Sequence, residues 1–95
     1  MEKEIYRQNL IKAIQIGTEI AKKCKNIVLT ENSAINMLDW YDELLQDVQN
    51  PKLNMTNLNY YVNDFFIFYN ESSGVEVEMF WKAIKEEGLP FERKD

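Results

Sequence analysis

Apolar residues recur at intervals of three and four along most of the chain, which is the spacing of the buried face of an α-helix. The pattern predicts a first helix over about residues 2–25 and a second over about 31–49. Asn50-Pro51 follows the second helix, and the residue before a proline is disfavoured in helical geometry. Gly17 lies on the apolar face of the first helix, where a small residue indicates a close approach by a neighbouring helix.

The aromatic segment that follows has two interpretations. Six of the twelve aromatic residues fall within residues 58–69, and their spacing fits a third helix over about 57–70. Aromatic and β-branched residues also favour strands. Strands over 65–69 and 75–79 would make a hairpin, so the alternative is an α+β fold with a hairpin around 65–79.

The residues around the next segment favour the helical interpretation. Ser73 and Glu76 have the spacing of a capping box, which marks the start of a helix. Apolar residues then continue at helical intervals, and they predict a fourth helix over about 74–87. Gly88 and Pro90 follow, in an order that is typical of a helix C-terminus.

Together these elements predict a single all-α domain over residues 1–95, a compact bundle of about four helices. Ninety-five residues, of which 45% are apolar, are enough for one small core. We expect residues 88–95 to form a tail in which Leu89 and Phe91 pack against the bundle.

The composition disfavours several classes of protein. His is absent and Cys24 is the sole cysteine, so there is no disulfide framework, no Cys/His zinc site and no histidine base. We therefore expect no enzyme, no metal and no cofactor. The first residues lack the unbroken apolar stretch of a secretory signal, and no apolar run is long enough to span a bilayer. We expect a cytoplasmic protein without membrane contact.

Charge is segregated along the chain, whose net charge is −5. Residues 1–29 carry six basic and three acidic side chains, whereas residues 30–51 carry five acidic and no basic ones. Four of these acids have i, i+3, i+4, i+8 spacing, which places them on one side of the second helix. That side is a solvated face, a face that pairs with the lysines of the first helix, or a docking surface for a basic protein.

Two other ligands for the acidic side are disfavoured. A metal site in a helical bundle usually needs carboxylates that converge from several helices. Direct binding of nucleic acid needs a basic surface, and the basic part of this chain is small.

Aromatic residues stand beside these carboxylates. Trp40 lies off the apolar stripe of the second helix, and Tyr60 and Phe66 lie off that of the third. They are either packing residues or parts of an exposed patch, since Trp and Tyr dominate binding hot spots. The same patch would also serve to close a homodimer. The predicted partner-binding residues are Asp39, Trp40, Asp42, Glu43, Asp47, Tyr60 and Tyr61.

The order of these features resembles that of the small acidic immunity proteins of the colicin and pyocin nucleases. The acidic helix over 31–49 precedes Tyr60-Tyr61, and a final helix with Trp81-Lys82-Ala83 follows Ser73-Gly74. The third segment is longer and more aromatic than in that family, and Asn70-Glu71-Ser72-Ser73 replaces its acidic loop. The resemblance implies a four-helix fold and a nuclease toxin as the partner. The toxin-facing residues that it implies are Asp39, Asp42, Glu43, Tyr60 and Tyr61.

Three functions follow as hypotheses. The first is a small protein-binding module of the inhibitor, immunity or anti-defence type, which docks its acidic helix and aromatic residues on a basic partner. The second is a structural or homo-oligomerisation domain that uses the aromatic segment as its contact. The third is a binder of nucleotide-like ligands, with aromatic rings for stacking and Lys22, Lys23 and Lys25 for phosphate.

Overall fold

The computed structural model describes residues 2–24, 31–50, 52 and 54–93, and these form four α-helices with no strand among them. The prediction of an all-α bundle is confirmed. The alternative hairpin is wrong, because residues 65–69 continue the third helix and residues 75–79 begin the fourth. The helices are α1 (Glu2–Cys24), α2 (Glu31–Gln49), α3 (Met55–Glu71) and α4 (Val75–Glu86).

Both bounds of α2 and the start of α1 agree with the predicted ones, whereas the bounds of α3 and α4 differ from them by one or two residues. α3 begins at Met55 rather than at residue 57 and ends at Glu71 rather than at residue 70. Asn54, a residue type that suits the position before a helix, stands directly before it. α4 is one residue shorter at each end than predicted, since Gly74 and Glu87 occupy its N-cap and C-cap positions. The predicted last residue of the first helix, Lys25, lies outside the described residues.

The predicted capping box at the start of α4 is wrong. The N-cap residue is Gly74, whose φ of 124° is unfavourable for other residues, and no side chain caps the helix. The backbone N–H of Glu78 donates to the Gly74 carbonyl oxygen at 3.1 Å. Ser73 is therefore one residue too early to cap. Glu76 does not reach back to Ser73, and one of its carboxylate oxygens is buried in the protein instead.

The C-terminus of α4 ends in a Schellman motif, as the order of Gly88 and Pro90 predicted. Gly88 takes the left-handed conformation, with φ of 68°. The N–H of Gly88 donates to the Lys85 carbonyl oxygen, and the N–H of Leu89 donates to the Ile84 carbonyl oxygen. Both distances are 3.1 Å. Leu89 is thereby turned back onto the bundle and is buried.

The tail beyond this turn packs as predicted. The Phe91 ring lies 4.7 Å from that of Phe66, between ring centroids. Arg93 donates a hydrogen bond to the Glu78 carboxylate at 2.8 Å. Phe66 is therefore buried, at 8% exposure, so the first of its two interpretations, a packing residue, is confirmed. The stripe of α3 is wider than predicted because the tail covers a second flank of the helix.

The core lies around α1, which contacts each of the other three helices. Large aromatic rings fill the space between α3 and α4: Tyr69 stacks on Phe80 at 3.7 Å between centroids. The Trp81 indole N–H donates to the Tyr69 carbonyl oxygen at 3.1 Å. The most deeply buried apolar residues include Leu10, Ala13, Ile14, Tyr41, Val48, Phe65, Tyr69, Phe80 and Ile84.

Gly17 is the point at which α1 meets the aromatic core. A methyl group at this position would lie 2.8 Å from the Tyr69 hydroxyl oxygen and 3.3 Å from the tip of the Phe65 ring. The Tyr69 hydroxyl in turn forms a buried hydrogen bond with the Tyr41 hydroxyl. The absence of a side chain at Gly17 therefore makes room for a hydrogen bond that joins α2 to α3. The predicted close approach of a neighbouring helix at Gly17 is confirmed.

We expect Gly17→Ala to destabilise the protein by about 1–2 kcal/mol, measured by urea unfolding, because overpacking exceeds the roughly 1 kcal/mol gain in helix propensity. In a Tyr69→Phe background the hydroxyl oxygen nearest to the new methyl group is absent, so the loss in the free energy of unfolding caused by Gly17→Ala should shrink towards zero. An equal loss in both backgrounds would show that the hydroxyl does not set the requirement for glycine.

Candidate functional site

A depression of about 220 Å³ lies between α2 and α3. Trp40, Glu43, Leu44 and Asp47 line it from α2, and Asp64 lines it from α3. We call these five residues the acidic flank. Three of them belong to the predicted partner-binding set. The helical spacing accounts for the grouping, since Glu43, Leu44 and Asp47 follow Trp40 by three, four and seven residues and therefore share one side of α2.

Trp40 joins the acidic flank to the core. Its ring stacks on that of buried Phe65, with centroids 6.5 Å apart and an interplanar angle of 20°. It also lies 5.4 Å from the ring of Tyr41. The Trp40 side chain is nevertheless 39% exposed. One part of the ring is thus held in position by packing, and another part faces solvent beside the carboxylates.

The carboxylates of the acidic flank are exposed and have no described cationic neighbour. The ion pairs among the described residues join Glu4 to Arg7, Glu19 to Lys22 and Glu78 to Arg93. Within this part of the chain no carboxylate of α2 pairs with a lysine of α1. Among the described residues, the acidic side of α2 therefore does not pair with the lysines of α1. The two interpretations that stay open are a solvated face and a docking surface.

The other two predicted acids of α2 lie away from the depression. At about 100° per residue, Asp42 and Asp47 project roughly 140° apart around the helix axis, and Asp39 lies between them. Asp42 and Asp39 are both exposed. The Gln46 side-chain amide donates to Asp42 at 3.2 Å. The acidic side of α2 is therefore a wide arc, and only one edge of it meets α3.

The predicted tyrosines lie on α3. Tyr60 is 68% exposed and precedes Asp64 by four residues, so the two are neighbours on the helix surface. The Tyr61 side chain lies outside the described residues. Asp64 was absent from the predicted set. Its spacing from Tyr60 was a usable signal in the sequence, but the meeting of α3 with Glu43 and Asp47 requires the tertiary fold.

Four polar side chains, one from each helix, form an inner polar cluster of Cys24, Tyr41, Tyr69 and Glu76. Burial raises the pKa of both tyrosines far above the ordinary value, so both hydroxyls stay protonated at neutral pH. Burial, together with the charge of Glu76, raises the pKa of the Cys24 thiol. Tyr41, Tyr69 and Cys24 are almost completely buried. A substrate has no access to these three groups, so the cluster is part of the core.

A groove of about 380 Å³ between α1 and α4 bears on the nucleotide hypothesis. Lys12 and Lys23 line it, but so do Glu19 and Glu87, and none of the described residues that line it is aromatic. Lys22 is paired with Glu19 at 3.7 Å, and Lys25 lies outside the described residues. This groove does not bring together the ring and the unopposed lysines that a nucleotide-like ligand requires.

In the described part of the chain, no group of three or more acidic or thiol side chains is arranged to hold a metal ion. The same residues include no helix that is long and apolar enough to cross a membrane. No protein-family model matches the chain, and neither a curated protein nor a solved structure matches it. The acidic flank therefore has to be interpreted from its own geometry.

Glu76 makes the stability of the fold depend on pH. Its Oε1 atom is buried without a hydrogen-bond partner, and burial raises the pKa of the carboxyl above that of an unfolded glutamate. Between the two pKa values the folded state binds more protons than the unfolded state. The free energy of unfolding therefore falls as the pH rises through that window.

We expect Glu76→Gln to be more stable than the wild type at neutral pH, because glutamine carries no charge that burial penalises. The difference in the free energy of unfolding should disappear below the ordinary pKa of glutamate. Urea titrations at a series of pH values measure it. Glu86→Gln, an exposed change on the same helix, is the control and should show no such trend. A pH-independent difference for Glu76→Gln would contradict the prediction.

Proposed function

We propose that this chain is a small protein-binding module that docks its acidic flank on a basic surface of another protein and thereby blocks that surface. The observation that carries the proposal is the acidic flank itself. A tryptophan fixed by packing stands half-exposed in a depression with three carboxylates that have no described cation beside them.

The charges of α2 support a basic partner. Like charges three and four residues apart repel each other on a helix. Residues 30–51 nevertheless carry five acids and no base. Opposite charges on a partner would relieve the repulsion, and complementary fields also raise the rate of association.

The geometry of Trp40 supports a specific contact with the partner rather than long-range electrostatic attraction alone. Stacking on Phe65 restricts the ring, so little conformational entropy is lost when a partner covers it. Hot spots of binding are enriched in tryptophan, tyrosine and arginine. An arginine or lysine of the partner would find the face or edge of an aromatic ring and carboxylates within one depression.

The inhibitor assignment rests on the resemblance to the immunity proteins of the colicin and pyocin nucleases. A four-helix fold and an acidic second helix agree with it. The nuclease partner and the toxin-facing roles of Asp39, Asp42, Glu43, Tyr60 and Tyr61 stay predictions. In the structure, Glu43 and Asp47 of α2 lie with Asp64 of α3 in one depression, whereas Asp42 lies away from it. Our proposal therefore centres the contact on the edge of α2 that meets α3 and, unlike the resemblance, leaves Asp42 outside it.

Exchange of single charges on α2 tests the proposal. The tagged domain would capture its partner from a host lysate at low salt, and the purified partner would then be titrated with each variant by calorimetry. We expect Asp47→Lys to weaken binding by about tenfold or more, because it reverses a charge of the acidic flank. Raised salt should weaken the wild-type complex, and loss of the partner's own activity on binding would establish inhibition.

Asp42→Lys is the matched control. It makes the same change of side chain and of net charge on the same helix, roughly 140° away around the axis. We expect its effect on affinity to be at most about threefold, from the long-range field alone. Equal losses of affinity for Asp42→Lys and Asp47→Lys would show that only the overall negative charge of α2 attracts the partner, and would contradict a specific contact at the acidic flank. Unchanged affinity for Asp47→Lys would refute the proposal.

A further inference from the structure

We draw no further inference here: the strongest candidate, the groove of about 460 Å³ that α3 and the tail form around Phe66, Ile67 and Phe91, is lined by Glu92 as well as by these apolar side chains, and nothing in the structure shows what covers it.

Discussion

The fold depends on one close approach, between the backbone of α1 at Gly17 and the Tyr69 hydroxyl of α3. Because no side chain stands at Gly17, the hydroxyls of Tyr41 and Tyr69 meet in the centre of the bundle and hydrogen-bond there. This single contact brings α1, α2 and α3 together. The ring of Tyr69 then stacks on Phe80 and brings in α4. A buried polar group is costly unless it is paired, so the two hydroxyls restrict the ways in which these helices can pack.

The surface divides into areas with different chemistry. The acidic arc of α2 presents exposed carboxylates and attracts cations, whereas α3 carries two charged side chains in seventeen residues, Asp64 and Glu71. Tyr60 is exposed and precedes Asp64 by four residues, so the two are neighbours on the helix surface. Asp64 therefore extends the acidic surface of α2 onto α3, and Tyr60 lies at its edge.

Most of the fold was predictable because local signals agreed. Apolar periodicity located all four helices, and Gly88 with Pro90 located the end of the last one. The predicted capping box was wrong. Ser73 and Glu76 have the spacing of that motif, but Gly74 has a positive φ and is the N-cap residue, so the helix begins at Val75. The sequence left two interpretations for Phe66 because its cover is the tail, and no local pattern shows which flank of α3 the tail crosses. The candidate site was predictable only along one helix. The spacing along α2 was enough to place Trp40, Glu43 and Asp47 on one side of the helix. Asp64 lies beside them because α3 packs next to α2. That packing is set by the core, so the residues around Asp64 in the sequence do not indicate it.

The different positions of the two tryptophans have a practical consequence. Trp81 donates its indole N–H to the Tyr69 carbonyl oxygen and lies against the aromatic core, whereas Trp40 is open to solvent among carboxylates. The chain thus contains two natural fluorophores, one that reports on the interior and one that reports on the surface. Emission that changes for Trp40 alone marks an event at the acidic flank, and emission that changes for both marks loosening of the bundle. Single-tryptophan versions of the domain would therefore separate recognition from unfolding without any attached dye.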